Sequence, residues 1–154
     1  MKYKWSIIVA FLTLIVYLAG FHDKPVCLFI KTHAGGVHKI NAEVVRTDEA
    51  KRLGLMGRQE LREGKGMLFV YEDEPDPVIW MKGMNFPIDI VFIGRDFEIE
   101  HIENSAAPCQ TALDRECSRY RSALPASYVL ELPAGYVKRH GIELKDKVVL
   151  PSGI

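Results

Sequence analysis

An arginine just past a helix end, an aspartate alone in an apolar strand, and an indole, a lysine and two thioethers packed between positions 80 and 84 are the side chains that could do chemistry. Arg58 follows Gly57, and a guanidinium there can grip a carboxylate or an anionic ligand through a two-pronged fork. Asp89 is the only charge in Ile88 to Ile93, on the same side as Val91 and Ile93, so an ionised carboxylate there needs a pairing group. Arg58 or Lys82 can supply it as a salt bridge that fixes a helix on a sheet. With a cleft between them, Arg58, Trp80, Lys82 and Asp89 form a ligand-binding set. An enzyme reading makes Asp89 the general base of a hydrolase or lyase, with Arg58 or Lys82 stabilising charge. The chain has no ordered Ser, His and Asp set, no metal-ligand pair of histidines and no phosphate-cradling Gly loop, so no catalytic residue is assigned. A further alternative is a periplasmic copper binder, since the Met81 and Met84 thioethers suit Cu(I) and His101 or Met56 could join them. Methionines 56, 67 and 81 serve equally as flexible core fillers, and no metal or cofactor is assigned.

The elements that must position these groups are short. Ile40, Ala42 and Val44 alternate with Lys39, Asn41 and Glu43, the period-two pattern of a half-buried strand over 37–44. Thr47 then caps a helix with Asp48 and Glu49 in its first turn, Ala50, Leu53 and Met56 on one face, and Gly57 placed to end it. Gly64-Lys65-Gly66 turns into a buried strand over Met67 to Tyr71, and Glu72 to Pro77 reads as an acidic loop. Val78 to Met81 and Ile88 to Ile93 read as strands, the second joined through Gly94-Arg95-Asp96 to Phe97 to Ile102 as a hairpin. Tyr128 to Leu132 and Val148 to Leu150 are further strands, separated by a short helix over Pro133 to His140 that Gly141 closes. Short strands outnumber helices. The expected fold is mainly β, a compact antiparallel sandwich or small barrel with one or two short α-helices.

Between Asn104 and Ala126 the pattern lapses for about 23 residues, long for a compact domain and therefore functional or tied down. Cys109 and Cys117 lie inside it and are the expected disulfide, with Cys27 left over. Disulfides belong to exported proteins, and the amino terminus agrees. Lys2 and Lys4 precede an apolar run of about 17 residues from Trp5 to Phe21, which reads as a signal peptide or a membrane anchor over residues 1–21. Residues 22–36 read as a linker and 37–154 as one domain. The location expected is periplasmic or secreted, or anchored in the inner membrane by that segment. With 20 basic and 20 acidic residues in the 154-residue chain, no broad cationic field points to nucleic acid, and membrane contact is expected through residues 1–21 alone.

Gly54-Leu55-Met56-Gly57-Arg58, Gly66-Met67-Leu68-Phe69 and Trp80-Met81-Lys82-Gly83-Met84-Asn85-Phe86-Pro87-Ile88-Asp89-Ile90 resemble, in order and spacing, a widespread prokaryotic family known as domain of unknown function family 192. Pro108-Cys109, Tyr128-Val129-Leu130-Glu131, Gly141 and Asp146 also fit, so the likeness covers nearly everything from Val37 to Val149. Where this chain has Gly83-Met84, that family commonly has Asn-Thr. The resemblance implies a compact, mainly β domain, often behind a signal sequence, and no established reaction. Together these readings give a non-catalytic, extracytoplasmic domain that binds a small ligand or protein partner in a cleft near Arg58, Trp80, Lys82, Asp89 and the Cys109–Cys117 loop.

Overall fold

The computed structural model describes residues 23–71, 76–111 and 113–154, so the expected signal peptide or membrane anchor over residues 1–21 lies outside the described residues. Seven strands form one sheet: β1 (Asp23–Lys31), β2 (Val37–Val45), β3 (Lys65–Val70), β5 (Ile88–Ile93), β6 (Ile99–Ala106), β8 (Tyr128–Pro133) and β9 (Lys147–Val149). Their order is β6-β5-β8-β3-β2-β1-β9. β4 (Ile79–Trp80) and β7 (Arg119–Tyr120) pair separately, and the two helices are short, α1 (Asp48–Leu53) and α2 (Tyr136–Arg139).

The sheet curls until its ends meet at one corner. There Ile99 N–H donates to the Asp146 carbonyl at 3.0 Å and Val148 N–H to the Phe97 carbonyl at 2.8 Å. One apolar cluster contains both Ile99 on β6 and Val148 on β9, the two ends of the strand order, so it fills the inside of the curl with Leu28, Ile40, Leu68, Val91 and Leu130. A second cluster lies on the outer face, where Met67, Phe69, Ile88, Ile90, Phe92 and Val129 are roofed by Ala50, Leu55, Ile79, Met81 and Met84. β5 is therefore buried on both faces. Each fully buried Ile or Phe there contributes roughly 1.5–3 kcal/mol, which is why a carboxylate on this strand needs full compensation.

Two expectations are corrected. Residues 23–31 are not a linker but β1, paired antiparallel with β2 and β9. Leu28 and Ile30 carry the alternating burial that the neighbouring apolar run obscured in the sequence. Nor is the sheet wholly antiparallel, because β2 and β3 run parallel, Ala42 opposite Gly66 and Val44 opposite Leu68. The capped helix α1 lies in the crossover that a parallel pair requires.

Candidate ligand-binding cleft

A cleft of about 400 Å³ opens on the outer face between α1 and the 78–84 segment, within the size range of small-molecule sites. Its first wall depends on a helix made by its caps. Thr47 Oγ1 accepts from Ala50 N–H at 3.3 Å, and Gly54 N–H closes the last turn on the Ala50 carbonyl at 2.8 Å. Gly54, at φ 46° and ψ −130°, turns the chain where a Cβ would lie 3.3 Å from Phe69 Cζ. This ends α1 at Leu53, before Gly57, and sets Lys51 and Arg52 of its last turn along the rim. The Lys51 ammonium lies 4.2 Å from the centre of the Tyr71 ring.

The second wall is tied down by the disulfide loop. Cys109 and Cys117 are bonded, with their Cα atoms 5.6 Å apart. Cys109 N–H donates to the Met81 carbonyl at 2.9 Å, and Gly83 N–H donates to the Cys109 carbonyl at 3.3 Å. From the same loop Asp114 pairs with Lys82, and Arg119 of β7 holds its guanidinium 5.4 Å from the Trp80 ring centre. The aperiodic stretch thus has a definite task, fixing Trp80 and Lys82. Gly57 N–H joins the two walls through the Gly83 carbonyl at 3.1 Å.

The floor holds the side chain that sequence reasoning missed. Glu131 on β8 lines the cleft, is only 6% exposed, and has an Oε2 buried without a hydrogen-bond partner. Gly66 lets β3 pass this close, since a Cβ there would sit 3.0 Å from the Glu131 carbonyl oxygen. Burial pushes the Glu131 carboxyl up to about 8, and the nearby Arg58 guanidinium pulls only partly against it. At neutral pH the floor therefore carries a neutral acid, able to donate through O–H and to accept, amid Phe69, Met56, Met84 and Trp80. The signal was available: Glu131 interrupts an apolar strand just as Asp89 does.

Of the four expected ligand-binding side chains, the structure brings Trp80 and Lys82 together in this cleft and places the other two elsewhere. Arg58 grips Glu43 of β2 through both prongs, Nη1 to Oε1 at 2.5 Å and Nη2 to Oε2 at 2.7 Å. It lines a smaller depression of about 260 Å³ with Glu43 and Lys65. Asp89 is fully enclosed on the inner face and pairs with neither Arg58 nor Lys82. Its Oδ1 accepts from Ser105 N–H at 2.8 Å and Gly135 N–H at 2.9 Å, and its Oδ2 from Val137 N–H at 2.9 Å. Backbone amides of β6 and of the start of α2 thus replace the expected salt bridge. Met81 is 1% exposed and packed in the outer core; Met84 and Met56 line the cleft, while His101 lies on β6 with its ring 5.5 Å from Phe92. Asp96, Glu98 and Glu100 hold ligand-capable oxygens within 4.8 Å of one another, but Lys145 reaches Glu100 at 2.7 Å and Lys147 reaches Glu98 at 2.9 Å. Two of the three carboxylates thus already have cations, and Asp96 Oδ1 accepts from Glu98 N–H at 3.3 Å.

Fold and cleft define a mainly β domain with a curled seven-stranded sheet and one covered outer face. The chain belongs to the DUF192 family, described as an uncharacterized ACR, whose profile matches residues 29–150. It is similar to a solved protein of unknown function from Novosphingobium aromaticivorans, at 31% identity and a TM-score of 0.73, over 80% of this chain and 84% of that one. It is equally similar, at 31% identity and a TM-score of 0.73, to a solved candidate transcription regulator from Sinorhizobium meliloti, over 80% of this chain and 91% of that one. No curated protein matches.

Proposed function

We propose that this is an extracytoplasmic binding domain that holds a small ligand, without transforming it, in the cleft over Glu131. The observation that carries the reading is the Glu131 carboxyl itself, an unpartnered acceptor in an apolar floor between two walls that are each independently braced. A buried polar group without a partner costs about 1–3 kcal/mol, and a ligand that supplies the missing hydrogen bond recovers that cost on binding. Export is supported by the Lys2 and Lys4 apolar segment and by the Cys109–Cys117 bond, which suits an oxidising compartment.

The test is thermal unfolding of the purified, oxidised chain against small organic molecules, nucleotides, sugars, cell-wall fragments and metal ions including Cu(I). A ligand present at 100 times its Kd stabilises by about 2.7 kcal/mol. A shift that Glu131→Leu or Trp80→Ala abolishes supports the cleft. Shifts that survive both substitutions, or no shift with any compound, refute it. A Cu(I) shift lost in Met84→Leu and kept in Glu131→Leu would replace it with the soft-metal reading.

A further inference from the structure

The cleft's charges narrow what it can hold, an inference that rests on the binding reading above. Its aromatic faces are already served by resident cations: Lys51 lies over Tyr71, and both Lys82 and Arg119 lie 5.4 Å from the Trp80 ring centre. A cationic ligand seeking those rings would meet three like charges. Arg52 shares the rim with Lys51, but its Nη2 lies 3.8 Å from Glu49 and its Nε donates to the Asp48 carbonyl, while Lys82 is paired with Asp114. Lys51 has no carboxylate partner among the described residues. Between this rim cation and the floor the lining is apolar, with Leu55, Phe69, Ile79 and Met84. The floor offers the uncharged Glu131 carboxyl, which accepts from or donates to a neutral polar group and gives no counter-charge to a cation.

We propose that the cleft takes a small organic anion with a flat apolar body, its charged end at Lys51 and an uncharged hydrogen-bonding tip on Glu131. A hydroxyl tip fits this floor, because it can donate to the orphaned Oε2 and accept in return. Ionisation of Glu131 would set a negative charge against the ligand's buried end, so affinity falls as pH rises past that ionisation. The charged groups on the elements around Glu131 are Asp48, Glu49, Lys51 and Arg52 on α1, Lys65 on β3, Arg58 with its Glu43 partner on β2, Lys82 with Asp114, Glu103 across β5, and Asp89 of β5 on the opposite face. Arg58 is the cation that acts on the Glu131 carboxyl directly.

Three probes with one aromatic body separate these requirements: 3-(4-hydroxyphenyl)propanoate, its carboxamide, and tyramine, each titrated calorimetrically into the full chain. The carboxylate is expected to bind at least about tenfold more tightly than the amide, with tyramine weakest. Lys51→Ala should erase the carboxylate's advantage over the amide. Glu131→Gln should keep carboxylate binding at pH 7 while removing its decline between pH 7 and 9. Equal or tighter binding of the amide or tyramine overturns the anion assignment but leaves the cleft as a binding site. An undiminished carboxylate preference in Lys51→Ala, or a pH decline that survives Glu131→Gln, overturns the assigned contacts. No binding of any probe at millimolar concentration overturns the inference, while the panel with Glu131→Leu and Trp80→Ala still decides the reading beneath it.

Discussion

Replacing Glu131 by Gln should make the protein more stable above neutral pH, and the size of the gain follows from the structure. The unfolded chain ionises this group at its ordinary value of 4.5, whereas the folded cleft holds it protonated up to about 8. Between those limits the native state binds the extra proton, so stability falls with rising pH by up to about 1.4 kcal/mol per unit. The penalty is absent below the unfolded value, grows through the window and is complete above the folded one. Its ceiling is about 5 kcal/mol, and water entering the open cleft reduces it, so about 2–5 kcal/mol is expected at pH 8. Gln keeps the shape and hydrogen-bonding capacity of the neutral acid and cannot ionise. Urea unfolding followed by circular dichroism at half-unit steps from pH 5 to 8.5, on both proteins, isolates this one group from every other titration. The curves should lie closest at pH 5, where the gap is under about 1 kcal/mol, and separate by about 1.4 kcal/mol per unit above it. Parallel curves over the whole range would refute both the protonated floor and the argument built on it. Divergence would also mean that the native side chain is kept at a cost to stability, as binding sites commonly are.

Asp89→Ala leaves three backbone N–H groups without their acceptor, but only the contact with Val137 is fully buried and the other two can recruit water. A loss of about 3–5 kcal/mol in urea midpoint analysis is expected, with the Val137 amide exchanging fastest relative to wild type. Reduction of Cys109–Cys117 opens a loop of sequence separation 8 and should lower stability by about 2–3 kcal/mol. The double Cys109→Ala, Cys117→Ala protein should unfold at the reduced chain's temperature with or without reductant. Gly54→Ala places a Cβ 3.3 Å from Phe69 at a φ of 46°, so a loss of about 1–3 kcal/mol is expected by calorimetry.

Patterns set by near neighbours are legible in the sequence, and distant pairings are not. The Ile40, Ala42, Val44 alternation and the Thr47 cap appear in the structure as expected, because both are settled by neighbours within a few residues. The Cys109–Cys117 disulfide is legible as two cysteines close together in one aperiodic stretch. Arg58 pairs with Glu43 rather than Asp89 because β2, which carries Glu43, is brought near by the parallel crossover that no periodicity reveals. Asp89 was rightly expected to need compensation, yet the compensation came from amides of Ser105, Gly135 and Val137, backbone groups that carry no residue signature. Glu131 carries the same signature as Asp89, hidden because Tyr128 to Leu132 otherwise reads as plain core. What separates the two acids is three-dimensional: Asp89 faces the satisfied interior, and Glu131 the open cleft.

The curl of the sheet also limits how other chains can meet it. Strands left unpaired at a sheet margin invite added strands, both from partners and in aggregation. Here β9, only Lys147 to Val149, is occupied on one side by β1 and on the other by the turn into β6, with Glu98 bridged to Lys147. At the opposite margin β6 shifts register against β5 in two places, and Ser105 adopts a φ of 51°. That margin also carries Glu100, Glu103 and exposed Asn104 and Ser105, a bent and acidic rail ill-suited to zipping against another backbone. Misassembly through stacked strands therefore has little to start from at either margin.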